Sequence, residues 1–183
     1  LPSREIARRG VARTFQHVKL LPGMTVLENV ALDAHLRGHK GALSAMLRLD
    51  RMEELQLLRE AAHQLQRVGM GDSLHELAGN LAMGPQRLLE IARALCSDPA
   101  LLLLDEPAAG LNDYESEELA HAVQRIRERT QAALIVIDHD LRFIMSVCDR
   151  ICVLDMGEVV AIDVPAAIRA NPKVIEIYLG QMN

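Results

Sequence analysis

Residues 101–107, Leu-Leu-Leu-Leu-Asp-Glu-Pro, decide the reading of this chain. Four consecutive leucines do not alternate with polar residues, so the run reads as a strand covered on both faces, as in a parallel sheet. Asp98-Pro99 turns the chain into it, and Asp105 and Glu106 stand at its carboxyl end. In open parallel sheets, ligands bind beyond that end. Two adjacent acids there can divide labour: one holds Mg²⁺, often through water, and the other polarises an attacking water.

Two further apolar runs follow, AALIVID at 132–138 and RICVL at 150–154. A helical pattern at 115–129 separates the first from the second strand, and a short one at 141–148 precedes the third. Strands that alternate with helices imply an α/β fold with a parallel sheet. The second strand ends in Asp138, His139 and Asp140. A histidine at a neighbouring strand end can hydrogen-bond a phosphate oxygen and steady developing charge.

Upstream, GVARTFQ at 10–16 reads as a short strand. Thr25 with Glu28 makes a T-x-x-E capping box, and Leu27, Val30, Ala31 and Ala34 continue it as a helix. A second helix runs from about Asp50, capped by Asp50 with Glu53, to Val68, where Gly69 stops it. PQRLLEIARALCS at 85–97 is a third, with Pro85 at its first position. Past the third strand lie a turn at 155–157, a strand EVVAI, and a helical stretch from Pro165 to Leu179 broken at Asn171-Pro172. Three parts result: 1–24, the end of the core sheet; 25–79, an inserted helical piece; and 80–183, the remaining core.

Half of the 183 residues are apolar and a quarter charged, with a net charge of −5. That balance argues against a nucleic-acid partner, and the cluster Arg4, Arg8, Arg9 and Arg13 is too small to reverse it. Cys96, Cys148 and Cys152 form no CxxC pair, which fits a reducing compartment and buried apolar roles. No run approaches the roughly 18 apolar residues of a membrane span. Taken singly, acids at strand ends are as consistent with helix caps. A metal-dependent hydrolase using Asp105, Glu106, Asp138 and His139 is a rival from another class.

LLLLDEP followed by AAGLN resembles the Walker B strand and D-loop of ABC-type ATPases. LAMGPQRLLEIARAL, Leu81 to Leu95, resembles the signature segment and its helix; RTFQ, ending in Gln16, resembles the Q-loop; IDHD, with His139, the switch-histidine loop. The elements stand in that family's order. The resemblance implies a P-loop NTPase-type parallel sheet with an inserted helical subdomain, its N-terminal strands missing. It implies that Asp105 helps to hold Mg²⁺, that Glu106 is the general base, and that Gln16 senses Mg²⁺ and the attacking water. His139 would contact the γ-phosphate. Ala82, Met83 and Gly84 would face the γ-phosphate of ATP held by the opposite subunit, and Leu111 and Asn112 would lie against that subunit.

RTFQHVKLLPGMTVLENV, LAMG, AAGLN and NPKVIEIYLG together resemble the ATPases of branched-chain amino-acid importers. That resemblance implies a second ATPase subunit, identical or not, two integral-membrane permease subunits and, indirectly, a solute-binding protein. It also implies a location on the cytoplasmic face of the inner membrane. Lipopolysaccharide-export ATPases share a similar ending and remain an alternative, as does a non-catalytic remnant. The signature departs from LSGGQ at Ala82, Met83 and Pro85, which weakens the phosphate contacts without removing Gly84 or the helix dipole. Nowhere is there a GxxxxGK[ST]. Charge-assisted hydrogen bonds contribute roughly 1.5–3 kcal/mol each, so these 183 residues alone are expected neither to bind ATP tightly nor to hydrolyse it.

Overall fold

The computed structural model describes residues 3–14, 20–37 and 51–180. Gln16, the Asp50 cap and the 38–44 connector lie outside these. The chain divides into two compact units, Leu1–Asp138 and His139–Asn183.

In the first unit, helix α1 (Ser3–Arg8), which the sequence reading did not anticipate, leads into strand β1 (Val11–Arg13). Gly10 joins them at φ +78°, backed against Ala100 so closely that a Cβ would lie 3.3 Å from that residue. Helices α2 (Val26–Arg37), α3 (Arg51–Val68) and α4 (Met83–Leu95) follow, then strand β2 (Leu101–Asp105), helix α5 (Asp113–Arg129) and strand β3 (Ala133–Ile137). The strands form one parallel sheet ordered β1-β2-β3, with Leu102 opposite Ala12 and Leu134.

The Thr25 capping box forms as expected: Thr25 N donates to Glu28 Oε2 at 2.7 Å, and Glu28 N to Thr25 Oγ1 at 3.2 Å. Those bonds to Thr25, backbone first, hold the Glu28 carboxyl below the usual carboxylate range. The two ends of the helical piece are laced together. Val26 N donates to Glu76 O, Leu27 N to Leu74 O and Ala78 N to Met24 O, at 2.9–3.0 Å. Asn29, 2% exposed, pins the preceding loop by accepting from Leu21 N at 2.9 Å and donating to Leu21 O at 3.1 Å. Gly69, at φ +88°, ends α3 in a Schellman arrangement, with Met70 N bonded to Leu65 O at 2.8 Å. The buried face of α3 is Ala61, Gln64, Leu65 and Val68, while Leu55 is 48% exposed. This face packs toward α2, α4 and α5.

Three expectations need correction. β2 is fully covered on one face only, by way of Leu102 and Leu104, while Leu101 and Leu103 are partly exposed. Among the described residues β3 is an edge strand, and nothing covers the face that carries Ile135, 48% exposed, and Ile137, 61% exposed. Among the described residues the third apolar run makes no ladder with these strands. In the second unit it forms β4 (Ile151–Asp155), paired antiparallel with β5 (Glu158–Asp163). Met156 and Gly157 both have positive φ, the two-residue turn that closes a hairpin.

Helix α6 (Leu141–Val147) precedes that hairpin, and α7 (Pro165–Arg169) and α8 (Pro172–Gly180) follow it, broken at Asn171-Pro172 as the sequence indicates. Ile168 and Val174 are buried, and both helices pack on β5. No disulfide forms, and Cys152 is exposed instead of buried. No described helix is long and apolar enough to cross a membrane.

Candidate functional site

β2 carries Asp105 to its carboxyl end because Leu102 and Leu104 anchor the strand in the core. There the carboxylate, 26% exposed, meets Arg13 of β1, with Nη2 to Oδ2 at 2.6 Å. Parallel pairing of β1 with β2 produces the meeting, since Thr14 N still bonds to Leu103 O at 3.0 Å one step past the strand.

Glu106 breaks from the strand at φ +46°, a conformation that costs a non-glycine residue about 1–2 kcal/mol. It is held there from both sides. Its N–H donates to Ile137 O at 2.7 Å, and its carbonyl accepts from Ala109 N at 3.2 Å. Strain of this kind persists only where surroundings over-determine it, and it gathers at functional positions.

Asp138, at the end of β3, has a catalytic role only in the rival metal-dependent hydrolase reading. Its Oδ2 accepts from Ala108 N at 2.9 Å, so it suspends the turn that follows Glu106. His139 is exposed and opens the second unit, directly before Asp140, which caps α6 by accepting from the N–H groups of Arg142 and Phe143. Gln16 lies outside the described residues.

α4 begins at Met83, two residues earlier than expected, so Pro85 is its third residue instead of its first. The shift costs nothing, because the whole first turn lacks intrahelical acceptors for its N–H groups. Ala82 occupies the cap and supplies no side-chain bond; Met83 is half-exposed and Gly84 buried. Close by, Asn112 caps α5: its side chain accepts from Glu115 N at 2.9 Å, and Glu115 returns a bond to Asn112 N. This N-x-x-E box is readable in the sequence and was overlooked, as was Arg13 as a partner of Asp105. The structure thus gathers Asp105 and Glu106 at one strand end, and Met83, Gly84, Leu111 and Asn112 around the facing ends of α4 and α5.

Among the described residues no three His, Cys, Asp or Glu side chains converge as a metal cage. One solvent-reachable carboxylate already paired with a cation fits Mg²⁺, which binds through one or two carboxylates, waters and phosphate oxygens.

A parallel sheet with two acids beyond the carboxyl end of one strand places a ligand site there, and helix N-termini suit anions such as the phosphates of a nucleotide. The family model described as ABC transporter matches residues 2–109, and that of the branched-chain amino acid ATP-binding cassette transporter matches residues 158–182. The chain belongs to the ABC transporter family. It is 42% identical to the high-affinity branched-chain amino acid transport ATP-binding protein LivG of Escherichia coli K12, over 99% of this chain and 72% of that one. The corresponding BraF protein of Pseudomonas aeruginosa is 39% identical over the same shares. Among solved structures, the ADP conformation of MJ1267, an ATP-binding cassette of an ABC transporter, matches with TM-score 0.77. It is 26% identical, over 97% of this chain and 71% of that one.

Proposed function

We propose that this chain serves in the ATP-binding and ATP-hydrolysing subunit of an importer for branched-chain amino acids, these 183 residues alone being inactive. The observation that carries it is the Asp105–Glu106 pair, placed at the end of a core strand with Glu106 locked in a strained backbone. The 39–42% identity to LivG and BraF supplies the solute class. The family model matched at 158–182 favours the importer over lipopolysaccharide export.

In this reading Asp105 holds Mg²⁺, whose positive charge, when bound, offsets the charge on the phosphates. Glu106 takes the proton of the attacking water. Gln16 links that centre to the helical piece of 25–79, and His139 hydrogen-bonds the γ-phosphate. The N–H groups at the start of α4, from Met83 and Gly84 beside Ala82, face the γ-phosphate of ATP held by a second ATPase subunit, identical or not. Leu111 and Asn112 lie against that subunit. Closure of the pair drives two permease subunits at the cytoplasmic face of the inner membrane, to which a solute-binding protein delivers the amino acid.

Disrupting the gene in its host tests the solute. High-affinity uptake of leucine, isoleucine and valine should be lost, with uptake of unrelated solutes unaffected. Unchanged uptake of all three would remove the importer assignment.

A further inference from the structure

The N-terminal ends of α4 and α5 share one carboxylate. Glu115 Oε2 accepts from Asn112 N at 3.1 Å, and Oε1 accepts from Gly84 N at 3.4 Å. Both helix ends carry partial positive charge, so one anion between them stabilises both. The fit is tight: a Cβ on Gly84 would lie 3.2 Å from both Cβ and Cγ of Glu115. Two more contacts join the same segments. Arg87 Nη2 on α4 donates to Ala109 O at 3.4 Å. Gly110 backs onto Met83, whose sulfur would be 3.1 Å from a Cβ added at Gly110. The start of α4 and the turn at 108–112 are therefore fastened at three points within the first unit.

We propose that Glu115 is a positioning residue of the assembled nucleotide site. It holds the start of α4 and the 108–112 turn as one body, and its carboxylate keeps the Gly84 N–H paired until a phosphate takes it. This rests on the reading of Gly84 given above. Of the two bonds, that to Gly84 is the longer and weaker, so it is the one that yields. The bond to Asn112 remains and keeps the turn capped. An arriving phosphate also meets a like charge, which opposes it. Glu115 thereby weakens closure of the two subunits and ties phosphate arrival to the turn carrying Leu111 and Asn112. Nothing in the sequence pattern of the signature segment points to it, because the contact spans 31 residues.

The test is ATP-driven association of the intact protein carrying Glu106→Gln, followed by sedimentation, with and without Glu115→Gln or Glu115→Ala. Glutamine keeps an oxygen for the Asn112 N–H but carries no charge. Association is expected to tighten by about 3- to 10-fold, and the gain to shrink as salt rises. The alanine variant, which also loses the tether, should associate more weakly than the glutamine variant. Association of Glu115→Gln no tighter than the parent, or equal to Glu115→Ala, overturns the proposal. If the Glu106→Gln parent does not associate with ATP at all, the dimer reading fails, and amide hydrogen exchange of the nucleotide-free protein decides this one. Faster exchange at Gly84 in both variants, and at 108–112 in the alanine variant alone, supports it; unchanged exchange overturns it.

Discussion

Arg13 at the end of β1 and Asp105 at the end of β2 form an ion pair, 2.6 Å from Nη2 to Oδ2, on the carboxylate proposed above to hold Mg²⁺. The guanidinium is more than half exposed and the carboxylate a quarter, so solvent screens the pair and it is a labile one. In the proposed site Arg13 is then a resident counter-ion that an incoming metal would displace. Arg13→Gln should raise the affinity for Mn²⁺, read by electron paramagnetic resonance with ADP present, by up to about 5-fold. Weaker Mn²⁺ binding would show that Arg13 supports the metal instead of competing with it.

Glu106 sits where only glycine is at ease. Glu106→Gly should stabilise the folded protein by about 0.5–1 kcal/mol while removing turnover, a separation of stability from function. Thermal unfolding reads the first effect. A lower melting temperature would mean that the Glu106 side chain makes contacts worth more than the backbone strain.

Asp138 carries the turn after Glu106 through Ala108 N, in a residue only 7% exposed. Asp138→Ala leaves that N–H without its acceptor and should cost about 1–3 kcal/mol. Asp138→Asn keeps an oxygen and should cost less. Equal losses in denaturant titrations of the two variants would show that the charge, not the hydrogen bond, does the holding.

Glu28 gives a pH signature. Its folded carboxyl ionises below the usual range because it accepts from Thr25, so the cap stabilises α2 fully above the unfolded value. That contribution is lost as pH falls through the depressed folded value. Glu28→Gln should lower stability in the neutral region, where the charged cap contributes fully, and change it least below the folded value, so that this part of the acid limb flattens. An acid limb identical to that of the parent would exclude Glu28 as a contributor.

Much of this was legible from local chemistry. The Thr25 box, the Gly69 stop, the Asn171-Pro172 break and the apolar run of β2 each depend on neighbours within a few residues, and each appears where expected. What was not legible depends on long-range pairing. An apolar strand reads alike whether a sheet covers both faces or one, so the bare face of Ile135 and Ile137 could not be seen in advance, whereas the strand, turn and strand of β4 and β5 were legible. Arg13 and Asp105, 92 residues apart, gave no joint signal either. Asp138 was marked as chemical by its position at a strand end, yet its oxygen is spent on a backbone N–H. The acids of β2 stand where the motif puts them; their partners came only from the fold.

The central claim is that Glu106 is the general base of an ATPase. Steady-state ATP turnover and ATP binding by the intact protein, with and without Glu106→Gln, address it most directly. Turnover should fall by about 10²- to 10⁴-fold, with ATP affinity within a few-fold of the parent. Turnover undiminished by the substitution would contradict it.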